Sequence, residues 1–171
     1  IIVIKNEGRI KTTFMSWGFI SPFAKDPFDK KKIRPFNARS ESIVEKKIFS
    51  GSWKHKRCLI PASGFFEKNY RIRKVNYETF WLGGIWSKWI SPDGAELESC
   101  CVLTTEPNEL VKPFHNRMPI VVPNGSEEQW MEQVNDGYKL KGLLPIMMGW
   151  SSDGWLVENV KKKETDQMSL F

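Results

Sequence analysis

The chain has 171 residues, a length that fits one domain better than two and supports a hydrophobic core without disulfides. Its residues are 40% hydrophobic, with 8 Trp and 11 Phe, which excludes a disordered chain and predicts an aromatic-rich core. The net charge of +6, from 26 Lys and Arg against 20 Asp and Glu, leaves two readings open: a surface for a polyanion such as nucleic acid, or a solvated basic surface with no partner.

The basic residues fall into four clusters: Lys30, Lys31, Lys32 and Arg34; Lys54, Lys56 and Arg57; Arg71, Arg73 and Lys74; and Lys161, Lys162 and Lys163. Cys58, Cys100 and Cys101 are odd in number and lack CxxC spacing, and only His55 and His115 could join them. Neither a zinc site nor a secreted disulfide framework is therefore expected, and no metal or other cofactor. No apolar run reaches the length of a membrane span and no signal-peptide pattern opens the chain, so a reducing cytoplasm is the expected compartment.

The opening Ile1-Ile2-Val3-Ile4 has no initiator Met and reads as a strand already inside a fold, so the sequence reads as a fragment that starts after its natural N-terminus. A Lys5-Asn6-Glu7-Gly8 turn follows, then a second strand-like run through Phe14 to Phe19, making a hairpin. The segment from Ser21 to Arg34 is a Pro-marked basic loop. Glu41 to Phe49 is predicted as a short helix with Ser40 as its N-cap. Arg57 to Pro61 is a short strand, and Tyr77 to Trp89, with Gly83-Gly84 at its middle, a strand pair or bulged strand. Pro92-Asp93-Gly94 is a hairpin turn in which Gly supplies the positive φ, and Glu98 to Thr105 is the returning strand. Glu106 to Val111 suggests one or two helical turns, Pro119 to Val122 a strand, and Ser126 to Val134 a helix with a Ser126/Gln129 capping box. Such alternation of short strands with occasional helices predicts an α+β domain with mostly antiparallel sheet.

Three segments carry groups suited to chemistry. In Pro35-Phe36-Asn37-Ala38-Arg39-Ser40-Glu41 an amide, a guanidinium and a carboxylate alternate, and share a face if the chain is extended. Taken alone, this segment reads more simply as a helix N-terminus with an exposed ion pair. In Pro61-Ala62-Ser63-Gly64-Phe65-Phe66-Glu67 a carboxylate follows two aromatics, so partial burial is expected to raise its pKa and suit it to proton transfer; the plainer alternative is a strand-end Glu in water. In Pro113-Phe114-His115-Asn116-Arg117-Met118-Pro119 a His capable of proton shuttling stands beside Arg117, which disfavours imidazolium; the plainer alternative is a structural His.

In this order the three segments resemble the Asn-Ala-Arg-x-Glu, Gly-Phe/Trp-Phe-Glu and His-x-Arg-Met-Pro motifs of the SOS response-associated peptidase (SRAP) family. Met15-Ser16-Trp17-Gly18-Phe19-Ile20-Ser21-Pro22-Phe23-Ala24 resembles the family's Trp-Gly segment, and Trp53 before Arg57-Cys58-Leu59-Ile60-Pro61 its lead-in to the Glu strand. Gly84-Ile85-Trp86 and Thr104-Thr105-Glu106-Pro107-Asn108 resemble two further family segments, and the likeness runs from about Phe14 to Trp130.

The resemblance implies a barrel-like, mainly antiparallel sheet with a few short helices, a cytoplasmic monomer near the nucleoid, and a basic groove for single-stranded DNA carrying abasic sites. An N-terminal cysteine would trap the ring-opened aldehyde, its amine forming an imine and its thiol closing a thiazolidine crosslink. It also implies roles, including the self-cleavage behind the family's name. Asn37 would position that cysteine, Glu67 would act as acid and base, and His115 would manage the sugar-oxygen proton. Arg39 and Arg117 would hold phosphates, and Phe23 and Trp17 would stack on unpaired bases unless they belong to the core. The family's Met-Cys-Gly-Arg start and its Tyr-Asn-x-Ala-Pro segment have no counterpart in these residues, and none of the three cysteines can supply an α-amine and a thiol from one residue.

The last residues, 161–171, form a basic tail in which Gln167, Leu170 and Phe171 resemble the short peptide that docks on bacterial sliding clamps; a tail folded back on its own domain is the equal alternative. Two rival functions remain: a peptidase acting on other proteins, and a non-catalytic basic DNA-binding module.

Overall fold

The computed structural model describes residues 1–29, 31, 33–133 and 142–161. The expected hairpin forms from β1 (Ile2–Asn6) and β2 (Arg9–Thr13), turning at Glu7 and Gly8, both at positive φ. After β3 (Ser16–Trp17), β4 (Asn37–Arg39) and α1 (Lys47–His55), the chain runs through β5 (Arg57–Ala62), β6 (Phe65–Glu67), β7 (Tyr70–Lys74), β8 (Phe80–Ile90) and β9 (Glu96–Thr105). It finishes with β10 (Met118–Pro119), β11 (Val121–Val122), α2 (Glu127–Met131), α3 (Leu144–Met147) and β12 (Trp155–Asn159).

Nine strands make one sheet along the path β10-β9-β8-β5-β1-β2, with β11 on β8 and β3 and β4 on β9; β12-β7-β6 make a second sheet. All pairings are antiparallel except those of β3 and β4 with β9. The fold is thus the expected α+β, dominated by antiparallel sheet. No pairing among the described residues closes the larger sheet into a complete barrel.

Both faces of that sheet are covered, and the period-2 alternation of its strands sorts the side chains. Leu59, Ile85, Cys101 and Leu103 enter one core with Phe19, Trp53 and Trp130, while Cys58, Ile60, Cys100 and Val102 enter the other with Ile2, Ile4 and Trp86. The predicted break at Gly83-Gly84 does not occur, because β8 is one strand of 11 residues. The glycines serve close packing instead. A Cβ on Gly83 would lie 2.6 Å from the Trp130 ring, and one on Gly84 2.8 Å from the Cys101 carbonyl oxygen.

The helix predicted from Glu41 begins only at Lys47 and runs to His55. Ser40 and Ile43 are buried, so the chain turns through a 3₁₀ segment (Ser40–Ser42), and Ser40 caps nothing. The buried stripe of α1 is Phe49, Ser52 and Trp53. Ser126 likewise makes no side-chain cap, and Gln129 donates instead to the Gly142 carbonyl, 3.2 Å away; Val134 lies outside the described residues. The turns expected at 106–111 are shifted to 109–114, started by Asn108, whose side-chain oxygen accepts from Val111 N–H at 3.1 Å. The predicted Pro119–Val122 strand is split, since β10 pairs with β9 and β11 with β8. Among the described residues no helix is long and apolar enough to cross a membrane.

Candidate functional site

At β4 the chain is extended, with Ala38 buried and Asn37 and Arg39 exposed, so the amide and the guanidinium share a face as the alternation requires. β4 lies parallel to the end of β9, and β10 pairs with that same end on Thr104 and Thr105. Glu67 ends β6 at a tight hairpin whose Lys68 has a φ of 56°. The turn at 109–114 delivers His115. These elements enclose a hollow of about 390 Å³ lined by Asn37, Arg39, Glu67, His115 and Arg117, with Trp17 and Phe66 at its aromatic wall. All three sequence-predicted segments therefore meet in one place.

His115 Nδ1 lies 3.7 Å from Glu67 Oε1. The same nitrogen is 2.9 Å from the Arg117 carbonyl oxygen and 3.2 Å from the Arg117 backbone nitrogen. A proton on Nδ1 thus has an acceptor, and a lone pair there has a donor, so either tautomer finds a partner at that nitrogen. Burial pushes the Glu67 carboxyl above its ordinary value, while His115 and Lys68 pull the other way. Such a carboxyl is suited to hold and release a proton.

Arg117 differs from the expectation that its charge bears on the imidazole, since it is the Arg117 backbone that meets His115. The guanidinium forms a two-pronged pair with Glu41, Nη1–Oε1 2.9 Å and Nη2–Oε2 2.7 Å, and Nη2 also donates to the Thr104 carbonyl at 2.6 Å. Burial raises the Glu41 carboxyl, but the hydrogen bonds from Arg117 and from its own backbone N–H, with the charges of Arg117 and Arg39, outweigh it and hold it below its usual value. Arg39 is exposed, and its side chain makes no hydrogen bond among the described residues.

Trp17 and Phe23 are 49% and 86% exposed, which removes the core alternative for both. Two members of the basic clusters are not surface groups. Arg57 is buried and donates to the carbonyls of Trp53, Lys54, Trp130 and Glu132, and Arg73 is buried against Glu158 at 2.6 Å. Lys30, Lys32, Lys162, Lys163 and the clamp-like Gln167, Leu170 and Phe171 lie outside the described residues. Cys58, Cys100 and Cys101 are buried, and burial raises all three thiols, Cys100 to about 11, so none is a ready thiolate. Among the described residues no group of three or more His, Cys, Asp or Glu could hold a metal.

The sequence places Thr104 in a family-like segment but gives it no role at the site, and it does not pair Glu41 with Arg117, 76 residues away. Phe66, 62% exposed beside Glu67, also lines the hollow, which strand alternation does not signal because it sends neighbouring side chains to opposite faces. A larger hollow of about 660 Å³, lined mainly by apolar residues including Ile43, Val44, Leu144 and Met148, lies beyond Glu41 and holds no histidine or cysteine.

A crystal structure of a protein from Bacteroides thetaiotaomicron has the same fold, with a TM-score of 0.76 and 24% identity over 91% of this chain and 71% of that one. Another, from Bordetella bronchiseptica, matches with a TM-score of 0.75 at 18% identity, over 91% of this chain and 81% of that one. In sequence, the chain is 35% identical over 155 residues to the abasic site processing protein YoqW of Bacillus subtilis, covering 84% of this chain and 68% of the relative. It is 27% identical over 164 residues to the abasic site processing protein HMCES of Xenopus tropicalis, covering 77% of this chain and 49% of the relative. The family model described as SOS response associated peptidase (SRAP) matches residues 1–163. With the motifs gathered around one hollow and this match along nearly all of its length, the chain belongs to the SRAP family.

Proposed function

We propose that this protein processes abasic sites in DNA, binding them in single strands at the hollow between β4, β6 and the His115 segment. The observation that carries the reading is the convergence of a raised-pKa carboxyl, an imidazole and an amide beside the exposed Arg39. The names of the relatives support the same reaction class. An abasic sugar opens to an aldehyde, and both its opening and its capture need protons moved at carbon–oxygen and carbon–nitrogen bonds. His115 meets the sugar oxygen and Glu67 the attacking amine, while Asn37 orients that amine. Arg39 meets a flanking phosphate. Arg117 lines the same hollow with its charge already paired to Glu41. Trp17 and Phe23 offer exposed rings to unpaired bases.

The covalent step proposed is capture by an N-terminal cysteine, which these 171 residues do not hold. Its amine adds to the aldehyde carbon and water leaves, giving an imine; its thiol then adds to the imine carbon, closing a thiazolidine. No oxidant or reductant is consumed. The test is intact mass of protein bearing such a cysteine after mixing with single-stranded DNA containing one abasic site. The expected product has the summed mass less one water, and is lost on Cys→Ala at the N-terminus. Tight, salt-sensitive binding without an adduct would leave a DNA-binding module. Neither binding nor adduct, with cleavage of an added polypeptide, would favour a peptidase acting on other proteins.

A further inference from the structure

We infer that Lys112 is the added cation of a second seat for the DNA backbone: a hollow adjoining the one described, which takes the phosphate of a nucleotide flanking the abasic one. The inference rests on the abasic-site reading and extends the path of the strand past the site that performs it.

This second hollow, of about 530 Å³, is lined by Arg39, Glu106, Pro107, Lys112, Asn116 and Arg117. Arg39 and Arg117 line both hollows, so a strand that leaves the first across these arginines enters the second. Three cations face the space against one carboxylate. Like charges gathered at one concavity repel one another, and a phosphate placed among them relieves that repulsion.

Lys112 is available for such a contact. It is exposed, and among the described residues its side chain makes no hydrogen bond and no ion pair, not even with Glu106 across the same hollow. Asn116 is also exposed with its amide unengaged, and offers a neutral donor beside the cation.

The lysine stem starts from a fixed point, set by the same turn that delivers His115. Lys112 N–H donates to the Asn108 carbonyl at 2.9 Å, and His115 N–H to the carbonyl of the fully buried Val111 at 3.1 Å. Asn108 is itself pinned, its side-chain nitrogen donating to the Trp150 carbonyl at 3.0 Å. On the other flank Phe114 packs against Tyr70, with ring centroids 4.4 Å apart. The position of the cation relative to the imidazole is therefore built into the turn. Lys112 belongs to none of the four basic clusters of the sequence, and it is the fold that brings it to Arg39.

The probe is a short single-stranded DNA carrying one tetrahydrofuran abasic analogue, which cannot open and so reports binding alone. The slope of log affinity against log salt is measured for the parent chain, Lys112→Gln, Lys112→Arg and Arg9→Gln. Arg9 is exposed on β2, at the edge of the sheet opposite β10, and controls for diffuse charge. Lys112→Gln is expected to make the slope shallower by about 0.7, one phosphate contact on a single strand. Lys112→Arg keeps the charge and is expected to keep the slope, as is Arg9→Gln. The second hollow lies to one side of the first, so probes cut back to the analogue on the 5′ or the 3′ side separate them. The Lys112→Gln difference is expected to vanish with one cut-back probe and to persist with the other.

A parent slope retained by Lys112→Gln, an equal loss in Arg9→Gln, or a difference that responds alike to both cut-back probes overturns the seat and leaves a solvated lysine. A parent chain that binds no single strand sinks the seat together with the abasic-site reading. A parent that binds while Lys112→Gln matches it sinks the seat alone.

Discussion

Replacing Arg57 by Met removes a buried cation that ends two helices at once. Its guanidinium donates to the Trp53 and Lys54 carbonyls at the C-terminal end of α1 and to the Trp130 and Glu132 carbonyls at the end of α2. Carbonyls in those positions have no partner within their own helix. Met fills the volume of the stem but donates nothing. Lys54 and Glu132 are exposed and can turn to water, whereas Trp53 and Trp130 are buried. Two buried acceptors left unsatisfied cost about 1–3 kcal/mol each. Part of this is returned, because the cation no longer has to be held out of water, a burden visible in its pKa, which burial draws down to about 10. The net loss is about 3 kcal/mol, or roughly 6–12 °C in Tm for a domain of this size. Thermal and urea melts of Arg57→Met and of Arg57→Lys, which keeps the charge without the fork, measure it. A drop of under about 1 kcal/mol for Arg57→Met would refute the capping argument. Arg57→Lys is expected to lose at least half as much as Met.

Gly83→Ala brings a Cβ to 2.6 Å from a ring that cannot retreat, since Trp130 is fully buried, packs edge-on to Trp53 at 5.9 Å and donates from Nε1 to the Cys58 carbonyl at 2.9 Å. A loss of about 2 kcal/mol in a urea melt is expected, and a neutral result would mean the ring is free to shift. Glu67→Gln tests the carboxyl through pH. Because the folded-state pKa is raised, the neutral form favours folding, a contribution present below the unfolded pKa and lost as pH rises through the folded one. The Gln variant should therefore be more stable than the parent at pH 7, with the gap closing toward pH 4; a constant gap would remove burial as the cause. Trp17→Ala should weaken binding of single-stranded DNA by about 1–3 kcal/mol at constant salt while leaving the melt nearly unchanged, because the ring is half exposed. Equal loss of stability would return Trp17 to a structural role.

Chemistry written within a few neighbouring residues is legible in the sequence. The β-forming run in Glu98–Thr105, the Gly94 turn and the Asn37/Arg39 spacing depend on residue preference and on backbone geometry that repeats every two residues or closes within four, so the strand, the hairpin and the shared face can be read directly. The raised carboxyl of Glu67 follows the same logic, since two adjacent aromatics predict partial burial. The start of α1 escapes such reading because Ser40 and Ile43 are held by the core rather than by helical periodicity, a constraint no local pattern carries.

The family motifs, the strand-rich α+β class and the residues that meet at the hollow are all properties of the amino-acid order. Which cations are free is a property of the folded molecule. Arg57 and Arg39 look alike as letters in the chain, yet one is closed in by carbonyls as far as 75 residues away and the other stands open beside the site. Whether a charge is solvated depends on what long-range packing brings around it, and a burial environment built from distant segments leaves no trace in the neighbouring sequence.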